Sequence, residues 1–249
     1  MRRALSIVAL LAALACIAAT RYHVAPVPYV RPAATSTPTG PWAPTYAIRM
    51  GLTNLNQYTD TGLYVQQNWA VKMLVNIRSN PVGFHFLGVS LSSSDYYFFG
   101  KHTTGYWLMQ YGNGTSSQTL TMTNGWHYIS VAATNLNVYL YTNASLAVSV
   151  VNGSAFATNT TETFYLGLYN NGSASRCPNW DVARLQLIDN MGTLKQDLIA
   201  TGSGTFTNAI GGATFTFGAT GSGGTSADST NVTGQTFPTM NWAAGGGQQ

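Results

Sequence analysis

A single glutamate, Glu162, stands in 249 residues, and the remaining acids are the scattered aspartates Asp60, Asp95, Asp181, Asp189, Asp197 and Asp228. Charged residues make up only 7% of the chain. Solubility therefore has to come from Ser, Thr, Asn and Gly, a composition that suits turns and polar strand faces and suits a helical cytosolic protein badly. The formal net charge is +4, and Arg2 and Arg3 belong to an N-terminal segment with a role of its own. The other cations of the body (Arg49, Lys72, Arg78, Lys101, Arg176, Arg184 and Lys195) form no stripe, which argues against nucleic acid as a partner. Cysteine is nearly absent. If Cys16 is removed or lipidated, Cys177 has no partner, no internal disulfide forms, and the domain stands on its core alone.

Catalytic patterns are missing as well. Tight His/Cys/Asp/Glu spacing for zinc is absent. No Gly-x-Ser-x-Gly elbow occurs, although His85, His102 and His127 are available to a triad. Calcium needs clustered oxygens, and Asp95 with Asn113 is the best the chain offers. No resident cofactor is expected.

The N-terminus carries an address. Arg2-Arg3 precedes a short apolar run, Leu5–Leu14, and small residues follow at Ala13-Leu14-Ala15 and again at Ile17-Ala18-Ala19. This is the pattern of a secretory signal peptide over residues 1–19. An uncleaved anchor is the alternative, although the run is short for a span. Ala13-Leu14-Ala15-Cys16 also resembles a degenerate lipobox, so a lipidated Cys16 is the one expected route to a membrane. Residues 20–44 hold Pro26, Pro28, Pro32, Pro38, Pro41 and Pro44 and read as an extended linker.

Beyond the linker, period-two alternation dominates. Val71, Met73, Val75 and Ile77 share one side of a strand, with Lys72, Asn76 and Arg78 opposite and Leu74 the exception. Asp95–Gly100 and Thr104–Gly112 form the most aromatic hairpin. Asn124-Gly125 delivers Trp126 to a hairpin broken at Thr134-Asn135, and Asp189–Gly192 turns another. Asp60 and Gly62 are turn formers, with Asp60 bonding its own backbone. About a dozen short strands spaced by turns, with no sustained helical period, predict an all-β, two-sheet antiparallel β-sandwich over residues 45–218. Residues 219–249, rich in Gly, Ser and Thr, read as a flexible tail in which Gln235–Trp242 tucks back as the minority alternative.

Several segments resemble one family. Tyr58-Thr59-Asp60-Thr61-Gly62 before the first long strand, the Trp126-His127 hairpin running to Val131, the Phe164-Tyr165-Leu166 strand with its Asn170-Asn171-Gly172 loop, and the Asp189–Gly192 hairpin occur in an order similar to laminin G-like domains of the concanavalin A-like superfamily, in its bacterial and phage branch. The resemblance covers roughly residues 46–200 and implies a jelly roll. Thr142-Asn143-Ala144 departs from it, where the family often has Asp-Gly. The superfamily's hydrolases place paired carboxylates on one strand as Glu-x-Asp-x-x-Glu, and this chain has no such run, so an enzyme is not expected.

Binding remains. Sugars stack on aromatic rings while Asn, Asp and Gln hold their hydroxyls. Tyr96, Trp107 and Tyr111 beside Asp95, Gln110 and Asn113 are the expected ligand-binding set, with the core as the competing destination of each ring. The leading expectation is a secreted or surface-displayed carbohydrate-binding or adhesion module, with a glycan as partner. The alternatives are a structural module of an extracellular or viral assembly, packed against copies of itself, and a divergent glycoside hydrolase.

Overall fold

The computed structural model describes residues 43–50, 57–78, 84–92, 95–101, 107–112, 114–118, 123–134, 137–151, 156, 158–167, 169–170, 180–216, 218–219 and 228–243. The signal peptide, all but the last two residues of the linker, Cys16, Cys177 and Asn113 lie outside them. The described residues contain no helix.

The strands, in chain order, begin with β1 (Tyr46–Arg49), β2 (Gln57–Asp60), β3 (Ala70–Ile77), β4 (Phe84–Ser92), β5 (Asp95–Lys101), β6 (Trp107–Gly112) and β7 (Gly114–Gln118). There follow β8 (Gly125–Thr134), β9 (Asn137–Thr142), β10 (Ser145–Val151), β11 (Tyr165–Leu166), β12 (Tyr169–Asn170), β13 (Trp180–Ile188) and β14 (Leu194–Ala200). The last are β15 (Phe206–Asn208), β16 (Thr214–Phe215), β17 (Gly218–Ala219) and β18 (Asp228–Asn231). The first sheet runs β10-β9-β8-β3-β13-β14-β15-β16, with β1 joined to β13 and β18 to β1. The second runs β17-β2-β11-β4-β5-β6-β7, with β12 parallel to β4.

Alternation explains the core between them. Val71, Met73, Val75 and Ile77 of β3, Ile129 and Val131 of β8, and Val182, Leu185 and Leu187 of β13 face inward from the first sheet. Val89, Tyr97, Phe99, Met109, Tyr111 and Leu166 meet them from the second. The turns obey local chemistry. Asp189 Oδ1 accepts the Met191 and Thr193 amides, closing the β13–β14 hairpin over Gly192 at φ 80°. The β9–β10 turn holds Asn143 and Ala144 at positive φ, and Asn143 Oδ1 accepts the Tyr128 amide at 2.9 Å.

The first sheet forks. β13 pairs with β1 at Asp181 and Val182, then with β14 from Arg184 onward, and a bulge at Ala183 marks the divide. Tyr46 packs against the core there, and a Cβ at Gly202 would stand 2.9 Å from its ring, so that position has room only for glycine.

The main departure from expectation is at the C-terminus. Residues 228–243 are not a loose tail. β18 adds to β1, and the strap Val232–Ala243 crosses the outer face of the first sheet. There Ala47, Leu74, Tyr128, Ala183, Val232 and Trp242 form a second apolar cluster, with Trp126, Phe237 and Met240 against it. Leu74 broke the alternation of β3 for this reason: its outward face is also buried. Every residue of β13 is buried, since the second sheet covers one face and the strap helps cover the other. Polar side chains under this cover are paired. Arg184 clamps Asp197 through Nε at 2.7 Å and Nη2 at 2.5 Å, Gln186 donates to the same carboxylate at 3.1 Å, and Trp242 lies 4.6 Å from the guanidinium.

Trp242→Ala should therefore lower unfolding free energy by about 3 kcal/mol, the range for an aromatic removed from a packed site. Urea denaturation would check it. A loss of a few tenths of a kcal/mol would mean that the strap contributes nothing to the fold.

Candidate functional site

The strap covers part of the outer face of the first sheet, and the outward side of the second sheet carries a different set of residues. One cross-strand row there runs Asp60–Tyr165–Gly88–Phe98–Gln110–Thr115. A neighbouring row carries Ser90, Tyr96 and Gly112. Directly paired residues share a face. On these rows Asp60 is exposed, Tyr165, Gln110 and Ser90 are half-buried, and Gly88 and Gly112 are buried.

At one end of the row two rings meet. Tyr58 of β2 and Tyr165 of β11 stack with centroids 4.4 Å apart and planes 19° from parallel, and both are half-buried. Alternation sets them there: Thr59 between Tyr58 and Asp60 is buried, and Phe164 and Leu166 flanking Tyr165 are core residues. Asp60 is exposed beside them and accepts the Gly62 amide at 2.8 Å, the self-bonded turn expected from its sequence. Burial, with the Asp60 charge and Tyr58 nearby, pushes the Tyr165 phenol up to about 12, while hydrogen bonding with Thr163 opposes the shift. The hydroxyl is thus a donor throughout the physiological range.

The expected ligand set divides. Gln110 is half-buried on the outward row, and Tyr96 holds an outward register position. Tyr111 is a correction: it is fully buried, in edge-to-face contact with Tyr97 at 5.4 Å and stacked near Phe156 at 6.0 Å. Its hydroxyl accepts the amide of Asn68, which sits at φ 66° at the entry to β3. In the backbone register Tyr96 pairs with Gly112, Trp107 with Lys101 and Tyr111 with Tyr97, so the three are not directly paired with one another. Asp95 heads β5, and Asn113 falls outside the described residues.

The stacked Tyr58–Tyr165 pair was the feature missed. Its local signal was present in the alternation of Phe164-Tyr165-Leu166, which sets Tyr165 apart from the two core residues beside it. Its partner was not legible, since β2 and β11 lie about a hundred residues apart. His127 is structural: its Nε2 bonds the Thr123 carbonyl at 2.8 Å, leaving Nδ1 toward Asn143 Nδ2 at 3.5 Å. Among the described residues no three His, Cys, Asp or Glu side chains gather as a metal-ligand set.

Two outcomes follow from this geometry. Tyr111→Phe should cost about 1 kcal/mol in urea denaturation, the value of one buried hydrogen bond, and leave the outward face unchanged. In NMR titration with labelled tyrosine, the Tyr165 ring should ionise near pH 12 and Asp60→Asn should lower that midpoint. Because the native phenol is raised, stability should hold below pH 10 and decline from there through about 12; a Tyr165 midpoint near 10 would contradict the arrangement.

No protein-family model matches the chain, and neither does any curated protein. Solved structures do. A Bacteroides ovatus protein for which carbohydrate binding has been suggested superposes with a TM-score of 0.55 at 14% identity, over 78% of this chain and 61% of that one. Domains LG4-5 of the mouse laminin alpha1 chain give 0.45 at 16% identity, over 59% of this chain and 44% of that one. A Caenorhabditis elegans galectin gives 0.33 at 11% identity, over 53% of this chain and 95% of that one. The chain thus spans about three-fifths of the length of the Bacteroides protein. The likeness to the Bacteroides protein is one of fold, a two-sheet antiparallel β-sandwich.

Proposed function

We propose that this protein is a non-catalytic carbohydrate-binding or adhesion module, exported by its N-terminal segment and working outside the cell or on its surface. The observation that carries this reading is the half-buried, stacked Tyr58–Tyr165 pair beside the exposed carboxylate of Asp60 on the second sheet. Ring faces of that kind match the apolar faces of sugars, and Asp60, Gln110 and the Tyr165 hydroxyl supply hydrogen bonds at the edges.

The commitments of the carboxylates support a binding role over hydrolysis. Asp181 lies 2.8 Å from Arg78 Nε and accepts from Asn76 at 2.9 Å. Asp197 is clamped by Arg184, and Asp189 holds a turn and Lys195 at 3.2 Å. Glycosidic cleavage needs two carboxyl groups placed across one bond, and these three are spent on the framework of the first sheet. The suggested carbohydrate binding of the Bacteroides protein, which shares the fold, points the same way by analogy.

A glycan array probed with the full chain tests this. Saturable binding is expected, weakened about tenfold or more by Tyr165→Ala and by Tyr58→Ala, since a lost stacking contact of ~1.4 kcal/mol is a factor of ten. Tyr111→Phe should bind as the parent does. Folded protein that binds no glycan would refute the reading, and binding indifferent to both substitutions would put the site elsewhere.

A further inference from the structure

The chain carries a formal charge of +4, which by itself would gather acidic glycans. The described part of the fold distributes that charge unevenly. Arg49 and Arg78 face Asp181 at 3.8 and 2.8 Å, Arg184 holds Asp197, and Lys195 lies 3.2 Å from Asp189. Lys72 donates to the Asn241 carbonyl of the strap at 2.6 Å. These cations belong to the first sheet, its turns or the strap, and no ion pair among the described residues involves the second sheet.

The remaining carboxylates by the tyrosines have no such neutralisation. Asp60 is exposed, and its Oδ1 accepts the Gly62 amide at 2.8 Å. Glu162 is half-buried, three residues before Tyr165 in the chain. Among the described residues neither forms an ion pair. Asp60 pairs directly with Tyr165 across β2 and β11, so carboxylate and phenol share a face. Burial, and after it the Asp60 charge, keeps that phenol protonated up to about 12. The stacked pair thus offers a charged acceptor, a hydroxyl donor and ring faces whose π-electron density is itself negative.

Resting on the carbohydrate-binding reading, we propose that the ligands of this site are neutral glycans and that Asp60 excludes sugars bearing a carboxylate or sulfate beside the tyrosines. A neutral ring satisfies both polar groups: one sugar hydroxyl donates to the Asp60 carboxylate, and a sugar oxygen accepts from the Tyr165 phenol. An ionised carboxylate or sulfate has no proton to give Asp60. It also meets a like charge that no ion pair with a described residue offsets. Selectivity then comes from a repulsive element set beside the attractive ones. The positive charge of the whole chain points toward acidic ligands, and the tyrosine site selects against them.

The test uses the full-length protein on an array of matched pairs: lactosyl glycans beside their sialylated and sulfated forms, and xylo-oligosaccharides beside forms substituted with glucuronic acid. Binding at this site is measured as the part that Tyr165→Ala removes. The neutral member of a pair is expected to bind about tenfold or more tighter than its acidic partner, which both loses a hydrogen bond and meets a like charge. Asp60→Asn keeps an oxygen for the Gly62 amide and removes the charge; it should lower that ratio about threefold or more, the scale of one exposed charge interaction. Salt at ~1 M, where the screening length is about 3 Å, should lower the ratio too. Acidic members that bind as tightly as neutral ones, or a ratio that Asp60→Asn leaves unchanged, would overturn the proposal and leave the carbohydrate-binding reading standing. Folded protein that binds neither member of any pair refutes that reading, and this proposal with it.

Discussion

The Arg184–Asp197 pair is the constraint around which the first sheet is built. Both side chains are closed off from water, in a chain with few charges to spend. Removing two ions from water is tolerated only when they are well bonded, and here three strands and the strap contribute to that bonding. β13 supplies Arg184 and Gln186. β14 supplies Asp197, whose amide donates to Asn208 of β15, and the strap supplies the ring of Trp242 and the Ala243 main chain. A shift of register in any of these would leave a buried charge unpaired. The pair thus aligns β13, β14 and the strap together, in addition to whatever stability it contributes.

That arrangement divides the labour between the sheets. The described cations Arg49, Lys72, Arg78, Arg184 and Lys195 all engage partners on the first sheet, its turns or the strap. The described side chains on the outward rows of the second sheet are Tyr58, Tyr165, Gln110, Ser90 and the carboxylate of Asp60. A surface of that kind suits neutral, hydroxyl-rich ligands that are held by stacking and hydrogen bonds rather than by ion pairs. The scarcity of charge in the sequence and the aromatic face of the second sheet are two aspects of one design.

The two clusters also explain why a sandwich of this size needs no disulfide among its described residues. The inner core draws on both sheets, and the outer cluster seals the back of the first sheet under a segment only a dozen residues long. The strap helps make β13 a strand buried on both faces. For that reason β13 reads Trp-Asp-Val-Ala-Arg-Leu-Gln-Leu-Ile, with polar groups that would look solvent-facing on an ordinary edge.

Period two and turn chemistry are local properties, and they were legible residue by residue. The inward series of β3, the β8–β9 hairpin that starts at Trp126, the turn at Gly192, the Asp60–Gly62 turn and the all-β sandwich followed from spacing alone. The sugar-site expectation went wrong at Tyr111 because aromatic richness was weighed above the parity of β6, which sends Tyr111 into the core with Met109. Other features were not in any local window. Tyr58 and Tyr165 become a stacked pair only when β2 and β11 are placed side by side. Leu74, Arg184 and Trp242 make sense only when the C-terminal strap lies across the first sheet. Alternation tells each residue which side of its strand it takes; which strand, sheet or strap lies on that side is decided by contacts far apart in the chain, where the free energy of burial and ion pairing is settled for the whole fold at once.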